Sequence, residues 1–178
     1  MVAERSMTQF KWFWPWQDSQ QERWLSAMSG QGWHLISLRW PARYGFVAGE
    51  PRDYVYRLDW REASQKERPD YLRLFADAGW EHVGSLSGWQ YFRRLTAEEP
   101  APEIFTDVDS KVAKYERMIF AAGGAGASVV PVMVILMYSE LDAFIGALWA
   151  ALLLAALYYI IVLVGLTQRV RQLRTRRA

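Results

Sequence analysis

The stretch that decides the fold is ERWLSAMSGQGWHLIS, residues 22–37, because a second stretch, DYLRLFADAGWEHVG at residues 70–84, follows the same pattern. In both, a leucine is followed by a large apolar residue three positions later and by a Gly-Trp pair four positions after that. Matching residues stand 47 positions apart, as Trp24 and Tyr71 do. Two copies are too few for an open array, so the pattern predicts an internal repeat that builds one pseudo-symmetric domain.

The order of elements is the same in both copies. Alternating apolar residues and turn residues predict a strand, a helix and then two strands in each copy. The elements are predicted at residues 10–17, 18–32, 33–40 and 42–49, and again at 52–60, 68–79, 80–86 and 88–95. The sequence thus predicts an α+β domain at residues 8–96, with repeats at 10–50 and 52–96. The duplicated strand–helix–strand–strand unit is expected to form one antiparallel sheet with both helices on one face, so that the other face needs a cover.

Six residues of the repeat are given structural roles. The glycines are expected to end the helices in the left-handed conformation, the tryptophans to pack where the next strand starts, and the tyrosines to keep the same offset. These residues are Gly32 and Gly79, Trp33 and Trp80, and Tyr44 and Tyr91. In the first helix Asp18 or Ser19 is expected to cap the start. Glu22 lies in or near the first turn, where negative charge is favoured, and capping is its expected role.

The composition fits a reducing compartment and a tryptophan-rich domain. The chain has 178 residues and no cysteine, which excludes disulfides, thiol nucleophiles and thiolate metal sites. Residues 1–117 carry 16 basic and 17 acidic side chains, whereas the last ten residues carry five arginines and no acid. Nine of the ten tryptophans lie in the first 89 residues, which favours extensive aromatic packing or an aromatic binding surface.

Two apolar segments follow the domain. Residues 118–138 and 143–166 lack any charge over at least the roughly 20 residues that a helix needs to cross a bilayer. The SELD sequence between them, residues 139–142, predicts an external turn, so the segments are predicted to form a two-helix transmembrane hairpin. The alternative is a buried hairpin in a soluble protein, but such a protein would have to hide two helices that are apolar on every face.

Basic residues set the predicted orientation. Lys111, Lys114 and Arg117 precede the first span, so both termini are expected in the cytoplasm. Residues 97–117 are predicted to be a linker that continues as a juxtamembrane helix, and residues 167–178 a basic tail. The arginines expected to set topology and to contact anionic membrane lipids are Arg169, Arg171, Arg174, Arg176 and Arg177. The small-residue pairs that would suit a homodimer are Gly123 with Ala127 and Gly146 with Ala150.

A family resemblance rests on the order of several motifs. The series W-L-x-x-M-x-x-x-G-W-x-L, Y-x-F, Y-V-Y-R-L-D, a second G-W and Y-F-R resembles a bacterial family known as domain of unknown function 2812. The run EIFTDVDSKVAKYERM, residues 103–118, is similar to the segment that links that domain to hydrophobic spans. The resemblance covers residues 10–117. It carries no catalytic residues, and it implies an inner-membrane protein often encoded beside PadR-type transcriptional regulators.

Candidate chemistry in the sequence is sparse. His34 and His82 fall at different phases of their strands, because His34 aligns with Glu81 at the offset of 47, so neither is expected to bind a metal. The carboxylates show no acid–base pairing, and no phosphate-binding loop or nucleophile motif occurs. We therefore expect no enzyme and no cofactor. The terminal arginines directly follow a span, which favours lipid over nucleic acid as their partner.

The tryptophans are the remaining candidates. Trp12, Trp14 and Trp16 alternate, so they are expected to share one face of the first strand. Three interpretations stay open: core beneath the helices, an apolar cradle for a ligand or a partner segment, or contact with the membrane interface. The residues assigned to this ligand or partner surface are Trp12, Trp14, Trp16, Trp40, Trp60, Trp89 and Glu22.

Two functions are weighed on these grounds. The first is a regulatory inner-membrane protein whose cytoplasmic domain acts without catalysis, by contact with a protein partner. The alternative is a small-molecule sensor that binds an apolar or amphipathic ligand in the aromatic cradle. The doubled layout is similar to that of ligand-binding effector domains of the gyrase-inhibitor type, and this resemblance implies the second function.

Overall fold

The computed structural model describes residues 5–61, 67–96, 108–127, 129–137 and 143–175. The chain divides into two compact units, Met1–Thr106 and Asp107–Ala178. The first contains β1 (Ser6–Phe10), α1 (Asp18–Gly30), β2 (Trp33–Arg39), β3 (Arg43–Ala48), β4 (Tyr54–Trp60), α2 (Arg68–Asp77), β5 (Glu81–Leu86) and β6 (Trp89–Leu95). The second contains α3 (Val108–Ala127), α4 (Val129–Met137) and α5 (Ala143–Thr175).

The strands of the first unit form two antiparallel sheets with the same topology. Their strand orders are β1–β3–β2 and β4–β6–β5, and the last strand of each half lies in the middle. The predicted mixed α+β class is confirmed, but the prediction of one sheet is wrong. β2 and β5 lie beside each other, and each has a β-bulge, at Ile36 and at Val83. A bulge bends its strand and disturbs regular pairing, which explains why the ladder is not continued across this junction.

The main core lies between α1 and both sheets. Leu25 and Met28 of α1 pack with Leu35 and Phe46 of the first sheet and with Leu58 of the second. Side chains alternate along β4, since Tyr56 and Leu58 enter this core while Val55 faces the opposite side. Burial of this apolar set is the main stabilising term of the unit.

The second helix packs on the opposite face of the second sheet. The ring of Phe75 in α2 stacks on Phe92 of β6 with centroids 3.9 Å apart, and Tyr71 and Trp80 complete this smaller core. The prediction that both helices share one face is therefore wrong. At the position that matches Phe92 the first sheet has Gly45, so the stacked ring that holds α2 has no counterpart there.

The first strand also differs from its prediction. β1 ends at Phe10, which pairs with Arg43, and the last ladder-like contact is from Lys11 N to Ala42 O at 3.1 Å. Beyond this point β3 gives way to the turn before it, so residues 11–14 have no strand to pair with. Residues 15–17 form a 3₁₀ turn that begins at Pro15, whose missing N–H suits a helical start.

The second unit contains one candidate membrane span among the described residues. The helix segment Phe144–Thr175 is long and apolar enough to cross a bilayer. The predicted first span, residues 118–138, falls on the end of α3 and on α4. The structure thus shows one long apolar helix, and the two-helix transmembrane hairpin is not shown.

Helices α3 and α5 pack side by side. Tyr115 and Leu166 are buried, and Arg174 donates to Glu116 at 2.6 Å. Helix α3 runs unbroken through residues 108–127, and so it continues from the juxtamembrane segment into the first apolar segment. The predicted linker at 97–107, the external turn at 139–142 and the arginines Arg176 and Arg177 lie outside the described residues. The predicted domain boundaries stay predictions.

Candidate interaction surface

Three indoles line the connection between β1 and α1. Trp12 and Trp14 meet edge to face with centroids 6.2 Å apart, and Trp14 and Trp16 stack at 5.1 Å with an angle of 11°. The connection holds this shape through Gln17, whose side-chain Oε1 accepts a hydrogen bond from the Trp14 N–H at 2.9 Å. The prediction that the indoles share one strand face is wrong, because the chain has left the sheet here.

The residue that enters the core is Phe13. Its ring lies 5.6 Å from Trp24 and 6.5 Å from Tyr44, and Lys11 covers Trp24 with its ammonium group 4.7 Å from the ring. Trp12 stays 47% exposed. Of the three interpretations of the indoles, core beneath the helices is therefore excluded for Trp12, while a partner surface and contact with a membrane interface stay open.

A further exposed indole lies at the same end of the first sheet. Phe10, Arg43 and Arg39 lie side by side across β1, β3 and β2, and Trp40 follows directly in the turn. Trp40 is 78% exposed and Phe10 is 64% exposed. We call this surface the aromatic end, and its members are Phe10, Trp12, Trp14, Trp16 and Trp40. Basic side chains flank it, from Lys11, Arg39 and Arg43.

The two other predicted tryptophans lie elsewhere. Trp60 and Trp89 face each other across β4 and β6, at the matching end of the second sheet, and both are half-buried. The turn at Gly88 fits closely over Trp60, since a Cβ at Gly88 would lie 2.7 Å from the indole Nε1. The structure therefore does not bring Trp60 and Trp89 into the aromatic end.

The Glu22 side chain joins α1 to β4 and does not cap the helix, and we call this contact the clasp. Its Oε1 accepts the Leu58 N–H at 2.8 Å, and its Oε2 accepts Nη1 of Arg57 at 3.4 Å. β4 is an edge strand, so this carboxylate covers part of the open edge of the second sheet. The expected cap by Asp18 or Ser19 is wrong, because Gln17 occupies the N-cap position and makes no side-chain capping bond. Asp18 is the first residue of α1, and its Oδ1 accepts the N–H of its neighbour Ser19 at 2.7 Å.

The matching glycines have matching conformations. Gly32 has φ +83° and Gly79 has φ +78°, the left-handed region predicted for both. At Gly32 a side chain is also excluded by space, because its Cβ would lie 2.6 Å from Gly49 O. Trp80 is buried in the smaller core, and Trp33 packs half-buried against the main core.

The matching tyrosines meet at one amide. Gln21 donates both hydrogens of Nε2, one to Tyr44 Oη and one to Tyr91 Oη, each at 2.8 Å. Burial raises the pKa of both phenols, so they stay neutral donors and acceptors. Sequence reasoning missed Gln21, and no local pattern points to it, because its partners stand 23 and 70 residues away.

A cavity of about 300 Å³ opens beside His34. Its walls include Ile36, Val47 and Tyr54, with Arg52 and Arg93 among its polar residues. Arg93 is fully engaged: it makes two hydrogen bonds to Glu81, at 2.7 and 2.8 Å, and its guanidinium lies 4.9 Å from the Tyr54 ring centroid. This hydrogen bonding lowers the pKa of Glu81.

No tryptophan lines this cavity or a second cavity, which lies beside Arg61. The predicted aromatic cradle is therefore absent from both cavities. The histidines have ordinary partners: His34 Nε2 lies 2.8 Å from Glu50 O, and His82 Nε2 lies 3.0 Å from Gln90 Oε1. Within the described ranges, no three His, Asp or Glu side chains gather as a metal site.

The tail arginines contact α3. Arg174 pairs with Glu116, and Arg169 Nε lies 3.5 Å from Tyr115 Oη. Arg171 is exposed. Gly146 belongs to one of the small-residue pairs, and a Cβ added there would meet no neighbouring element within 4 Å in the described part of the chain. The homodimer itself stays a prediction.

Comparison with known proteins gives one family. The sequence model of that family, described as Protein of unknown function (DUF2812), matches residues 17–123. The match covers more than half of the chain and runs from α1 into α3, so Trp12, Trp14 and Trp16 lie just before it. No curated protein and no solved structure matches the chain.

Proposed function

The chain belongs to the DUF2812 family of proteins of unknown function, and we propose that it is a membrane-attached module that works in regulation through protein contact at its aromatic end. The first unit acts without catalysis and the second attaches it to the inner membrane of a bacterium. Three observations support this proposal: the exposure of α5, the exposure of the indoles, and the structural engagement of the polar core residues.

Membrane attachment is supported by α5. None of the residues in its most apolar 18-residue window is buried, whereas a core helix of a soluble protein would bury them. A helix that is apolar over this length is stable against lipid tails and unfavourable in water. We propose that residues 118–138 provide a second pass, with both termini in the cytoplasm beside Lys111, Lys114 and Arg171.

Protein contact is carried by the aromatic end. Tryptophan and arginine are the residue types enriched among the side chains that dominate binding energy at protein interfaces. Trp40 is 78% exposed. Burial of a large apolar side chain is favourable by roughly 1.5–3 kcal/mol, so a partner that covers Trp40 would gain a contribution of this size. The indoles lie outside both cavities, which favours a protein surface over a small molecule as the partner.

Photocrosslinking in native membranes tests the contact. A photoreactive phenylalanine analogue replaces Trp40 in one variant and Leu74 in a matched control, since Leu74 is also an exposed apolar residue, at 65%, but lies on α2. We expect one discrete protein adduct from position 40 and none from position 74, and we expect Trp12→Ala to reduce the adduct.

Two outcomes would count against protein contact. Equal adducts from both positions would show that exposed apolar residues crosslink without specificity. Adducts to lipid alone from position 40 would favour the second candidate, contact with the membrane interface, which the indoles and the flanking Lys11, Arg39 and Arg43 also suit.

A further inference from the structure

A second cavity, of about 240 Å³, lies on the second half of the first unit, where α2 begins. Its described walls come from the residue after β4, the first turn of α2, the end of β5, the β5–β6 turn and β6. The lining side chains that matter are Arg61, Arg68, Tyr71, Ser85, Ser87 and Gln90. None of them belongs to the aromatic end or to either half of the main core.

Strand pairing explains why these groups converge. Ser85, Gln90 and Asp59 lie in one row across β5, β6 and β4, on the face that carries α2. Tyr71, in the first turn of α2, donates to Asp59 Oδ2 at 3.0 Å and forms the wall on the helix side. Ser87 stands in the tight β5–β6 turn with φ +50°.

The charged side chains among the described lining residues are both arginines. Arg61 lies over the Tyr71 ring with its guanidinium carbon 5.0 Å from the centroid, and Arg68 is the first residue of α2. Among the described residues, no carboxylate lies within ion-pair distance of either guanidinium. Asp59 is the acid on this row, but it is 3% exposed and is turned to the Tyr71 hydroxyl. The N-terminus of α2 adds a further positive field.

The neutral groups of the cavity are donors. His82 lies 3.0 Å from Gln90 Oε1, and with its Nε2 proton it fixes that amide so that the NH₂ group points the other way. The NH₂ group makes only a long contact, 3.5 Å, to Arg61 O. Burial, and secondarily the charge of Arg68, lowers the pKa of His82, so the imidazole is neutral near pH 7 and keeps its Gln90 contact. The hydroxyls of Ser85 and Ser87 are exposed.

We propose that this cavity binds a phosphate group. Two guanidiniums, two hydroxyls and one amide offer more donors than the two oxygens of a carboxylate accept, and they approach from several directions, which suits a tetrahedral dianion. The volume lies below the roughly 300–1,000 Å³ of pockets for drug-sized ligands, so the cavity holds the phosphate and little else of the molecule that carries it.

The first half has the opposite chemistry at the matching positions. Arg43 and Gln90 match at the offset of 47, and their partners on the neighbouring strands are Phe10 and Asp59. Two residues after these partners come Trp12 in the first half and Arg61 in the second. At the offset of 47, Trp40 likewise holds the place of Ser87. The same end of each sheet therefore carries an aromatic surface in one half and a cationic cavity in the other.

Calorimetric titration of the full chain tests the site. The protein is held in phosphatidylcholine nanodiscs in a zwitterionic buffer near pH 7 and titrated with inorganic phosphate, with acetate as a second titrant. We expect saturable binding of phosphate, at least tenfold weaker in Arg61→Gln and in Arg68→Gln. Arg73→Gln, an exposed arginine further along α2, is the matched control and should change the affinity less than twofold.

A neutral variant separates the site from general electrostatics. Ser87→Gly removes one hydroxyl without changing the charge, so we expect phosphate binding to be about threefold weaker. Glycine adopts φ +50° without steric cost, so we expect the thermal unfolding temperature to be unchanged. Arg61 and Arg68 are exposed, and circular dichroism of their variants should match that of the unchanged chain.

The source of the phosphate is distinguished in a second arm, in which the nanodiscs contain phosphatidic acid. Loss of inorganic phosphate binding there supports the site with a lipid headgroup as its occupant, and unchanged binding supports it with a soluble phosphate compound. The proposal is overturned by an absence of saturable phosphate binding, by acetate binding as tightly as phosphate, or by unchanged affinity in the Arg61→Gln/Arg68→Gln double variant.

Discussion

The carboxylate of Glu22 shows how one side chain closes a sheet edge. It accepts the Leu58 N–H at 2.8 Å from an edge strand and also contacts Arg57. An aspartate or glutamate at this point of a helix is predicted from sequence to serve the helix itself. The N–H that donates to Glu22 lies 36 residues along the chain, so the role of Glu22 depends on a tertiary contact that the local pattern does not contain.

Replacing Glu22 tests this clasp. Glu22→Ala removes an acceptor from a largely buried N–H, and we expect a loss of about 1–3 kcal/mol in the free energy of unfolding. Glu22→Gln keeps a carbonyl acceptor and loses only a partly exposed ion pair, so its loss should stay below about 1 kcal/mol. Tryptophan fluorescence during unfolding in detergent measures both, because nine of ten tryptophans lie in residues 1–89.

Equal losses in the two Glu22 variants would contradict this account, since they would assign the effect to charge. A second variant outside the clasp, Arg23→Ala, provides the control because its side chain is exposed on α1.

His82 links acidity to the stability of the second half. Burial is the largest cause that lowers its pKa from 6.5, so the folded state holds this proton more weakly than the unfolded chain. The resulting stability is present above pH 6.5 and is lost as the pH falls through the lower folded value. We expect the imidazole NMR signal that disappears in His82→Gln to titrate with a midpoint below 6.5.

The assignment of that signal is simple because the chain has two histidines. A midpoint at or above 6.5 would contradict the burial of His82 against Phe92, whose ring centroid is 5.2 Å away.

At the scale of elements, the sequence predicted the strands and helices well and their packing less well. Gly32 and Gly79 end the two helices as expected, because a positive φ is a local requirement that the residue type reveals. The side of the sheet on which a helix packs depends on distant residues. Phe92 gives α2 a ring to stack on, whereas a side chain at Gly45 would collide with the Ser37 hydroxyl, and α1 lies on the other face.

Prediction of the candidate sites from the sequence is limited in the same way, because it depends on contacts between distant residues. Alternation suggested one face for Trp12, Trp14 and Trp16, but alternation has meaning only where the chain is paired, and pairing ends at Phe10. The cationic cavity could not be predicted from the sequence, because Arg61, Arg68 and Ser87 are common residue types that come from separate segments of the chain.

The position of α2 is tested by two neighbouring residues. Phe75→Ala removes a ring that is 2% exposed and stacked on Phe92, and we expect a loss of about 3–5 kcal/mol in the free energy of unfolding. Leu74→Ala removes an apolar side chain of similar class that is 65% exposed, and we expect a change within about 0.5 kcal/mol.

The same fluorescence measurement serves for this pair. A larger loss in Leu74→Ala than in Phe75→Ala would mean that α2 presents the opposite side to the sheet.

At the scale of the whole molecule, composition separated a tryptophan-rich domain from an apolar segment, and the structure divides the chain into two units near that point. The number of membrane passes depends on more than composition. Within the described residues, helix α5 is the one that meets the length and apolarity of a span.

Topology reporters decide between one pass and two. Alkaline phosphatase, which is active only in the periplasm, should be silent when fused after Ala178 and active when inserted after Glu140, because the basic residues favour cytoplasmic ends. A single pass through α5 from a cytoplasmic first unit would give the opposite result, with activity after Ala178. A fluorescent protein that folds only in the cytoplasm, fused after Ala178, provides the complementary signal.

The amide of Gln21 has a consequence for how the chain can be divided. Its two protons go to one hydroxyl from each half, and the main core likewise takes Phe46 from the first sheet and Leu58 from the second. A fragment that stops near Pro51 would therefore keep half a core and an amide with one acceptor missing. The sequence repeat makes the halves resemble independent modules, yet each half completes the core of the other. Two co-expressed fragments separated at Pro51 are therefore expected to fold only together, and such a pair could report on assembly at the membrane.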